Sequence, residues 1–222
     1  MKSTIIKISL AILMLNTLSC NKQTTTFNDF KFASETPIIN CGVENDKLLS
    51  EAVLSFENDI TNHYDATNKN LSRAYNVFIR DAFAKRVSNT DIVSDHTIKV
   101  LNALKNTDIF KDNKLDYNSA VVKCLAQNMN DSGMKTTFNA LLSTNSMKKK
   151  TFGSPLRSSV MQITKDKYLS TYVALDYFYS ELLNIDLNNV KPKEAIKKED
   201  PKIQPLVKPV AKEKDPHAGH NH

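Results

Sequence analysis

Apolar residues in the middle of the chain recur every three or four positions, which is the period of an α-helix with one buried face. Two stripes stand out, one beginning at Leu48 and one at Leu71. Their members are Leu48, Leu49, Ala52, Val53, Phe56 and Ile60 in the first, and Leu71, Ala74, Tyr75, Phe78, Ala82 and Phe83 in the second. They predict two amphipathic helices.

Three shorter stripes follow. They consist of Ile98, Leu101 and Leu104; of Val121, Cys124 and Leu125; and of Met134, Phe138, Leu141 and Leu142. Ser94 or Asp95 is predicted to cap the first of these helices, because a short polar side chain can accept a free backbone N–H there. Asp131 and Ser132 precede the last of them.

The final stripe is the longest. It runs through Val160, Thr164, Tyr168, Tyr172, Leu175, Tyr179 and Leu182. Ser154 is a suitable N-cap, and Pro155 suits the first helical position, where a missing N–H costs nothing. This combination predicts one long C-terminal helix of about eight turns.

Glycine is scarce in the same region, with only Gly42, Gly133 and Gly153 between residues 41 and 187. Sheets need turns, so the fold class is predicted to be all-α, a single bundle of five to six helices with a long C-terminal helix. The aperiodic residues 20–40 are predicted to form a tether. Residues 188–222 hold five of the seven prolines among lysines and glutamates and are predicted to be a disordered tail.

The N-terminus has the features of an export signal. Lys2 and Lys7 supply positive charge, and residues 8–15 form an apolar stretch that is far shorter than the roughly 20 residues of a membrane span. Residues 1–19 are therefore predicted to be a signal peptide that directs export across the inner membrane.

The end of this signal, Leu18-Ser19-Cys20, resembles the lipobox of bacterial lipoproteins. The family usually has leucine three positions before the cysteine, where this chain has Thr17. The resemblance implies that Cys20 is acylated, becomes the first residue of the mature chain and anchors it to a membrane of the cell envelope. The alternative is an ordinary secretory signal cut near Ser19, with Cys20 left as a plain thiol.

The other two cysteines are Cys41 and Cys124. If Cys20 carries lipid, they remain as a pair in an oxidising compartment and are predicted to form a disulfide. The closed loop of roughly 80 residues would stabilise the fold by about 4.5 kcal/mol on the chain-entropy model. The alternative is two buried free thiols.

Catalytic motifs are weak. Ser-x-x-Lys, the nucleophile motif of penicillin-binding proteins and β-lactamases, occurs at Ser132–Lys135 and Ser146–Lys149. The 26 lysines and 18 serines of this chain give about two such matches by chance, and the partner motifs Ser-Asp-Asn and Lys-Thr-Gly are absent. The chain is therefore predicted not to be an enzyme.

Histidines are few in the predicted domain. Asp59 and His63 are four residues apart on one helix and are predicted to be a solvated surface pair. His96 is predicted to be exposed. Tyr168, Tyr172 and Tyr179 share a helix face, which is interpreted as a core seam, with stacking of a sugar or peptide as the alternative.

Two polar segments are predicted to be solvated loops. The acids from Asp108 to Asp116 are spaced like a calcium loop, but the twelfth-position glutamate is missing, so Asp116 or Asn118 is expected to cap the next helix. Lys148-Lys149-Lys150 forms the second loop, with weak attraction to anionic lipid heads as an alternative role. The net charge of +6 is modest, and an exported protein has little access to nucleic acid.

The C-terminal tail ends with His217, His220 and His222. These imidazoles suit weak binding of Zn²⁺, Cu²⁺ or Ni²⁺, although a generic terminus is the alternative. Apart from that weak metal binding, no cofactor is expected. The chain is predicted to be a lipid-anchored envelope lipoprotein with a non-enzymatic binding or structural module that recognises an envelope protein or peptide. A metal-handling accessory protein is the second hypothesis.

Overall fold

The computed structural model describes residues 27–187, and these residues form an all-α fold as predicted. The helices are α1 (Asp46–Tyr64), α2 (Leu71–Phe83), α3 (Asn89–Ile92), α4 (Asp95–Leu104), α5 (Ala120–Asn128), α6 (Ser132–Ser143), α7 (Lys149–Ser158), α8 (Val160–Ile163), α9 (Lys167–Val173) and α10 (Ser180–Leu182). A π-helical segment, Ala174–Tyr179, joins α9 to α10. The predicted signal peptide and the predicted tail lie outside the described residues.

Helix α1 lies at the centre of the bundle and packs against α2, α4, α9 and the π-helical segment. Its apolar stripe is buried, as the period predicts. The Phe56 ring lies 5.0 Å from that of Phe78 on α2 and 5.1 Å from that of Phe178 on the π-helical segment. Edge-to-face and tilted ring contacts of this kind add to the stabilisation from buried apolar area. No helix within residues 27–187 has the length and apolar character to cross a bilayer.

Of the two caps proposed for α4, Ser94 is the one present, because its Oγ accepts the backbone N–H of Thr97. Asp131, which precedes the stripe of α6, accepts the backbone N–H of Met134. The cap predicted for the helix at residue 120 was wrong. At the start of α5, the backbone N–H of Val122 donates to Ser119 Oγ, and not to a side chain of Asp116 or Asn118. The physical reason is that Asp116 is used one step earlier, where its carboxylate accepts the N–H of Asn118.

The polar segment before α5 contains a β-hairpin, where a solvated loop was predicted. Strands β1 (Phe110–Lys111) and β2 (Lys114–Leu115) pair antiparallel, with Lys111 opposite Lys114. The two turn residues, Asp112 and Asn113, have φ values of 52° and 56°. Asp and Asn tolerate this left-handed backbone, which a two-residue type I′ hairpin turn requires at both of its central residues. Strands of two residues are too short to produce an alternating pattern.

The start of the long last helix was predicted wrongly. Ser154 and Pro155 lie inside α7, which begins at Lys149 and ends at Ser158. The chain then forms the single turn of α8 and restarts at Asp166, whose carboxylate accepts the N–H groups of residues 168 and 169. The long C-terminal helical element therefore spans residues 167–182. A strong cap at Asp166 ends the earlier helix because it fixes a new N-terminus in the middle of the stripe.

Helices α7 and α8 pack on α2. Their close approach needs glycine at one position, because a Cβ on Gly153 would lie 2.1 Å from Cε1 of Phe83. Real Cβ atoms essentially never come so close to another carbon. Gly153 therefore lets α7 pack tightly against the C-terminal end of α2.

Candidate functional site

An N-terminal strap, residues 27–42, lies on the outside of α1 and α4. Its backbone is irregular, with several bends, and has no strand partner among residues 27–187, so its N–H groups need other acceptors. Ser50 Oγ accepts the N–H groups of Ile38 and Ile39 at 3.0 and 3.2 Å. The Asp46 carboxylate accepts those of residues 41–42 at 2.9–3.0 Å. The prediction that residues 20–40 form a tether was wrong for residues 27–40.

Glu51 is the main acceptor for the strap. Its side chain is 0% exposed, and its two carboxylate oxygens accept the N–H groups of Lys31, Phe32 and Ala33 at 2.5–3.1 Å. His96 Nε2 lies 2.5 Å from Glu51 Oε1. Burial alone would raise the pKa of Glu51, but these hydrogen bonds outweigh it and hold the pKa below its usual value. The carboxylate is therefore charged, and both of its oxygens accept hydrogen bonds from within the fold.

His96 is not exposed as predicted, because the strap covers it. Its side chain is only 10% exposed. The imidazole lies 5.5 Å from the Phe32 ring and 6.4 Å from the Phe27 ring, measured between ring centroids. The strap therefore contacts α4 as well as α1.

A disulfide joins the end of the strap to α5. Cys41 and Cys124 are bonded, with their Cα atoms 5.6 Å apart and 83 positions apart in the sequence. Beside it, the Tyr168 hydroxyl donates to the carbonyl oxygen of Asn40 at 3.5 Å. The strap is thus held covalently at its C-terminal end and by Glu51 in its middle.

A second polar cluster surrounds Asp176 on the π-helical segment. The Asp176 side chain is 2% exposed, and its Oδ2 accepts the hydroxyls of Tyr172 and Tyr117 at 2.9 and 3.0 Å. Lys149 Nζ lies 4.0 Å from Oδ1 and also donates to Ser180 Oγ at 2.9 Å. Burial raises the pKa of Asp176, and Lys149 and the two phenols oppose that effect. π-Helical turns are frequent at functional sites, which makes this cluster a candidate.

We expect Asp176→Asn to change the pH dependence of stability in a defined direction. The pKa of Asp176 is raised on folding, so the native state keeps this proton to higher pH than the unfolded state. The free energy of unfolding of the wild type should therefore fall as pH rises from about 3.8 through the raised pKa. Asparagine does not titrate and can still accept both phenols. Urea denaturation from pH 4 to 8 should find the variant gaining stability relative to wild type over this window.

Asp81 provides a control of opposite sign. Hydrogen bonds and charge from Arg80 and Arg86 lower the pKa of Asp81. Asp81→Asn should therefore lose stability relative to wild type as pH rises from the lowered native pKa to the unfolded value of about 3.8, with a constant difference at higher pH. Urea denaturation extended down to pH 2 measures this loss. If the free energies of unfolding of wild type and Asp176→Asn changed with pH in parallel, the assignment of a raised pKa to Asp176 would be contradicted.

Asp59 is buried, so the prediction of a solvated surface pair with His63 was wrong for Asp59. Asp59 is 3% exposed and accepts the N–H of Ser94 at 2.9 Å, at the start of α4. Burial raises its pKa, and hydrogen bonds from Thr97 and Ser94 oppose this. His63 is exposed, and its ring lies 4.6 Å from that of Tyr64. Asp59 therefore belongs to the contact between α1 and α4.

The tyrosine stripe is used mainly as core, as favoured from the sequence. Tyr172 and Tyr179 are fully buried, and the Tyr179 hydroxyl donates to the carbonyl oxygen of Ala52 at 3.0 Å. Tyr168 is half-buried at the end of the strap. The stripe therefore provides packing and hydrogen bonds inside the domain.

The Ser-x-x-Lys matches at Ser132 and Ser146 do not form Ser–Lys pairs in the described contacts. Ser132 and Ser146 are both exposed. Ser146 Oγ donates to the carbonyl oxygen of Thr144, while Lys149 Nζ is bonded to Ser180 and Glu181. Lys149 and Lys150 lie in the first turn of α7 and not in a loop, with Lys148 as the N-cap residue.

The remaining predicted site residues lie outside the described range. Cys20 and the histidines His217, His220 and His222 are in this group, so their lipid and metal roles stay predictions. Among residues 27–187, no group of three or more His, Cys, Asp or Glu side chains is arranged to hold a metal ion.

Comparison with known proteins gives no relative for this chain. No protein-family model matches it, and neither a curated protein nor a solved structure is found to be similar. Function is therefore inferred from the fold and from the polar clusters at Glu51 and Asp176.

Proposed function

We propose that the chain is a lipid-anchored lipoprotein of the bacterial cell envelope, and that its helical domain is a non-enzymatic binding or structural module held close to the bilayer. The observation that supports this is the position of the strap. Phe27 already contacts His96, and it follows the lipobox-like Cys20 by only seven residues. Seven residues span at most about 25 Å.

The hydrogen bonds to Glu51 dock the strap and so keep the connection between Cys20 and the folded domain short. Without the docked strap, the first fixed residue would be Cys41, at the disulfide. The 21 residues from Cys20 to Cys41 can span about 70 Å. A docked strap therefore limits the reach of a lipid-held domain to roughly a third of that distance. Such a module suits recognition of an envelope protein or peptide near the membrane surface.

The two buried acidic clusters support a non-enzymatic role. Glu51 is saturated by three backbone N–H groups and His96, and Asp176 by two phenols with Lys149 nearby. Groups that are engaged in this way hold the strap and the π-helical segment in place. Buried polar networks of this kind serve to specify one packing arrangement.

The proposal is tested by labelling bacteria with a palmitate analogue and separating membranes from soluble material. We expect the wild-type chain to carry the label and to partition with membranes, because several acyl chains make dissociation negligible. Cys20→Ala should lose the label. The matched control is Cys41→Ala with Cys124→Ala, which should keep it, since these cysteines lie inside the fold.

An unlabelled wild-type chain in the soluble fraction would contradict the proposal. Labelling that survives in Cys20→Ala would place the lipid elsewhere and would equally remove the short connection to Phe27.

A further inference from the structure

Charge is distributed unevenly over the folded residues. Residues 27–187 contain 19 basic and 19 acidic side chains, so this part of the chain is neutral overall. Residues 132–165 contain no acidic residue and six basic ones, which are Lys135, Lys148, Lys149, Lys150, Arg157 and Lys165. This stretch forms α6, α7 and α8. The rest of the described chain therefore carries a compensating negative charge.

The end of α2 extends this basic surface. The Arg157 guanidinium lies 5.9 Å from the centre of the Phe83 ring, which places α7 beside the last turn of α2. Lys85 and Arg86, just beyond that turn, are exposed. Asp81 is the acid in this turn, and it is already paired with Arg80 and Arg86. We call residues 132–165 together with Arg80, Lys85 and Arg86 the basic side.

Met161 gives the basic side a second property. It is 61% exposed and lies in α8, four residues from Arg157 and four from Lys165. Among residues 27–187 the other exposed large apolar side chain is Ile38, at 38%. An exposed apolar side chain in a segment that carries basic residues suits a lipid surface, because the cations meet phosphate groups and the apolar group reaches the acyl boundary.

We propose that the basic side binds anionic phospholipid headgroups and so fixes the orientation of the domain on the bilayer. This inference rests on the proposed function, since the lipid at Cys20 is what brings the domain to a membrane. The apolar Met161 favours a bilayer over a soluble polyanion, which offers nothing for that side chain to enter.

The first test measures binding of the full mature chain carrying Cys20→Ser to sedimenting vesicles, so that no acyl chain contributes. Vesicles of phosphatidylglycerol and phosphatidylethanolamine are compared with vesicles of phosphatidylcholine. The test variant is Lys150→Glu, Arg157→Glu and Lys165→Glu. The control variant, of identical net charge, changes three exposed lysines outside the basic side, Lys105→Glu, Lys111→Glu and Lys114→Glu.

We expect binding to the anionic vesicles only, and the test variant should bind at least about tenfold more weakly than its parent, because each surface cation contributes to attraction by an anionic leaflet. The control variant should stay within about threefold of the parent. Circular dichroism checks that both variants keep their helices.

The second test uses the absence of tryptophan from this chain. Met161→Trp introduces a single tryptophan on the basic side, which can be excited apart from the tyrosines, and Lys105→Trp introduces one away from it. Emission of the Met161→Trp chain should shift to shorter wavelength on addition of anionic vesicles, while that of Lys105→Trp should not.

Equal losses in the two charge variants, binding to neither vesicle, or an unshifted Met161→Trp spectrum would each overturn the inference. Acylation of Cys20 is measured separately. If the chain is acylated at Cys20 but its unacylated form does not bind vesicles, the lipid anchor is supported and headgroup binding by the basic side is excluded.

Discussion

Glu51→Ala is expected to lower the free energy of unfolding by about 3–5 kcal/mol, the usual effect of removing one partner from a buried charged cluster. The change leaves three backbone N–H groups of the strap and the His96 ring without their acceptor. Each buried donor without a partner costs about 1–3 kcal/mol. Urea denaturation of the full chain measures the loss.

The same variant should also release the strap while the helices remain. Hydrogen exchange at the amides of Lys31, Phe32 and Ala33 should become fast, and trypsin should cleave after Lys31 sooner than in wild type. Glu35→Ala is the matched control, because Glu35 pairs with Lys47 but its side chain is 96% exposed. It should leave stability and cleavage unchanged. Wild-type exchange rates in Glu51→Ala would contradict the docking of the strap.

Removal of the disulfide by Cys41→Ala with Cys124→Ala is expected to cost about 4–5 kcal/mol on the chain-entropy model. The bond closes a loop across 83 positions, so it restricts the unfolded chain strongly. Urea denaturation of wild type with and without reductant, and of the double variant, measures this effect. Reductant should lower the stability of wild type to that of the variant.

Reductant provides the internal control for that experiment, because the double variant should not respond to it. A wild-type chain whose stability is unaffected by reductant would contradict a stabilising bond. The two largest effects thus act on different states. Glu51 stabilises the folded strap, whereas the disulfide restricts the unfolded chain.

Helix positions were predictable from apolar stripes, and a cap fixed the start of one of them. The stripe beginning at Leu48 located α1, which has no side-chain cap, and Ser94 fixed the start of α4, because period and capping are local properties of the sequence. The last stripe misled the prediction, since its period continues through a break that the Asp166 cap creates. The hairpin at Asp112 and Asn113 has strands too short to give a pattern.

The strap could not be predicted from a period of its own. The apolar residues among 27–40 follow neither a helical nor a strand period, and the acceptors for the N–H groups of this segment lie on α1. A signal was nevertheless present in α1. Ser50 and Glu51 lie between the apolar pairs 48–49 and 52–53, and a charged residue enclosed in this way is buried only with partners. Asp176, enclosed by apolar and tyrosine residues, gives the same signal for the second cluster.

The central claim is that a lipid on Cys20 holds the domain beside a bilayer through the docked strap. Mass spectrometry of the N-terminal peptide of the mature chain, purified from bacterial membranes, tests it most directly. We predict a peptide that begins at Cys20 and carries the added mass of acyl chains. A mature chain that begins at another residue, or a Cys20 with an unmodified thiol, would contradict the account.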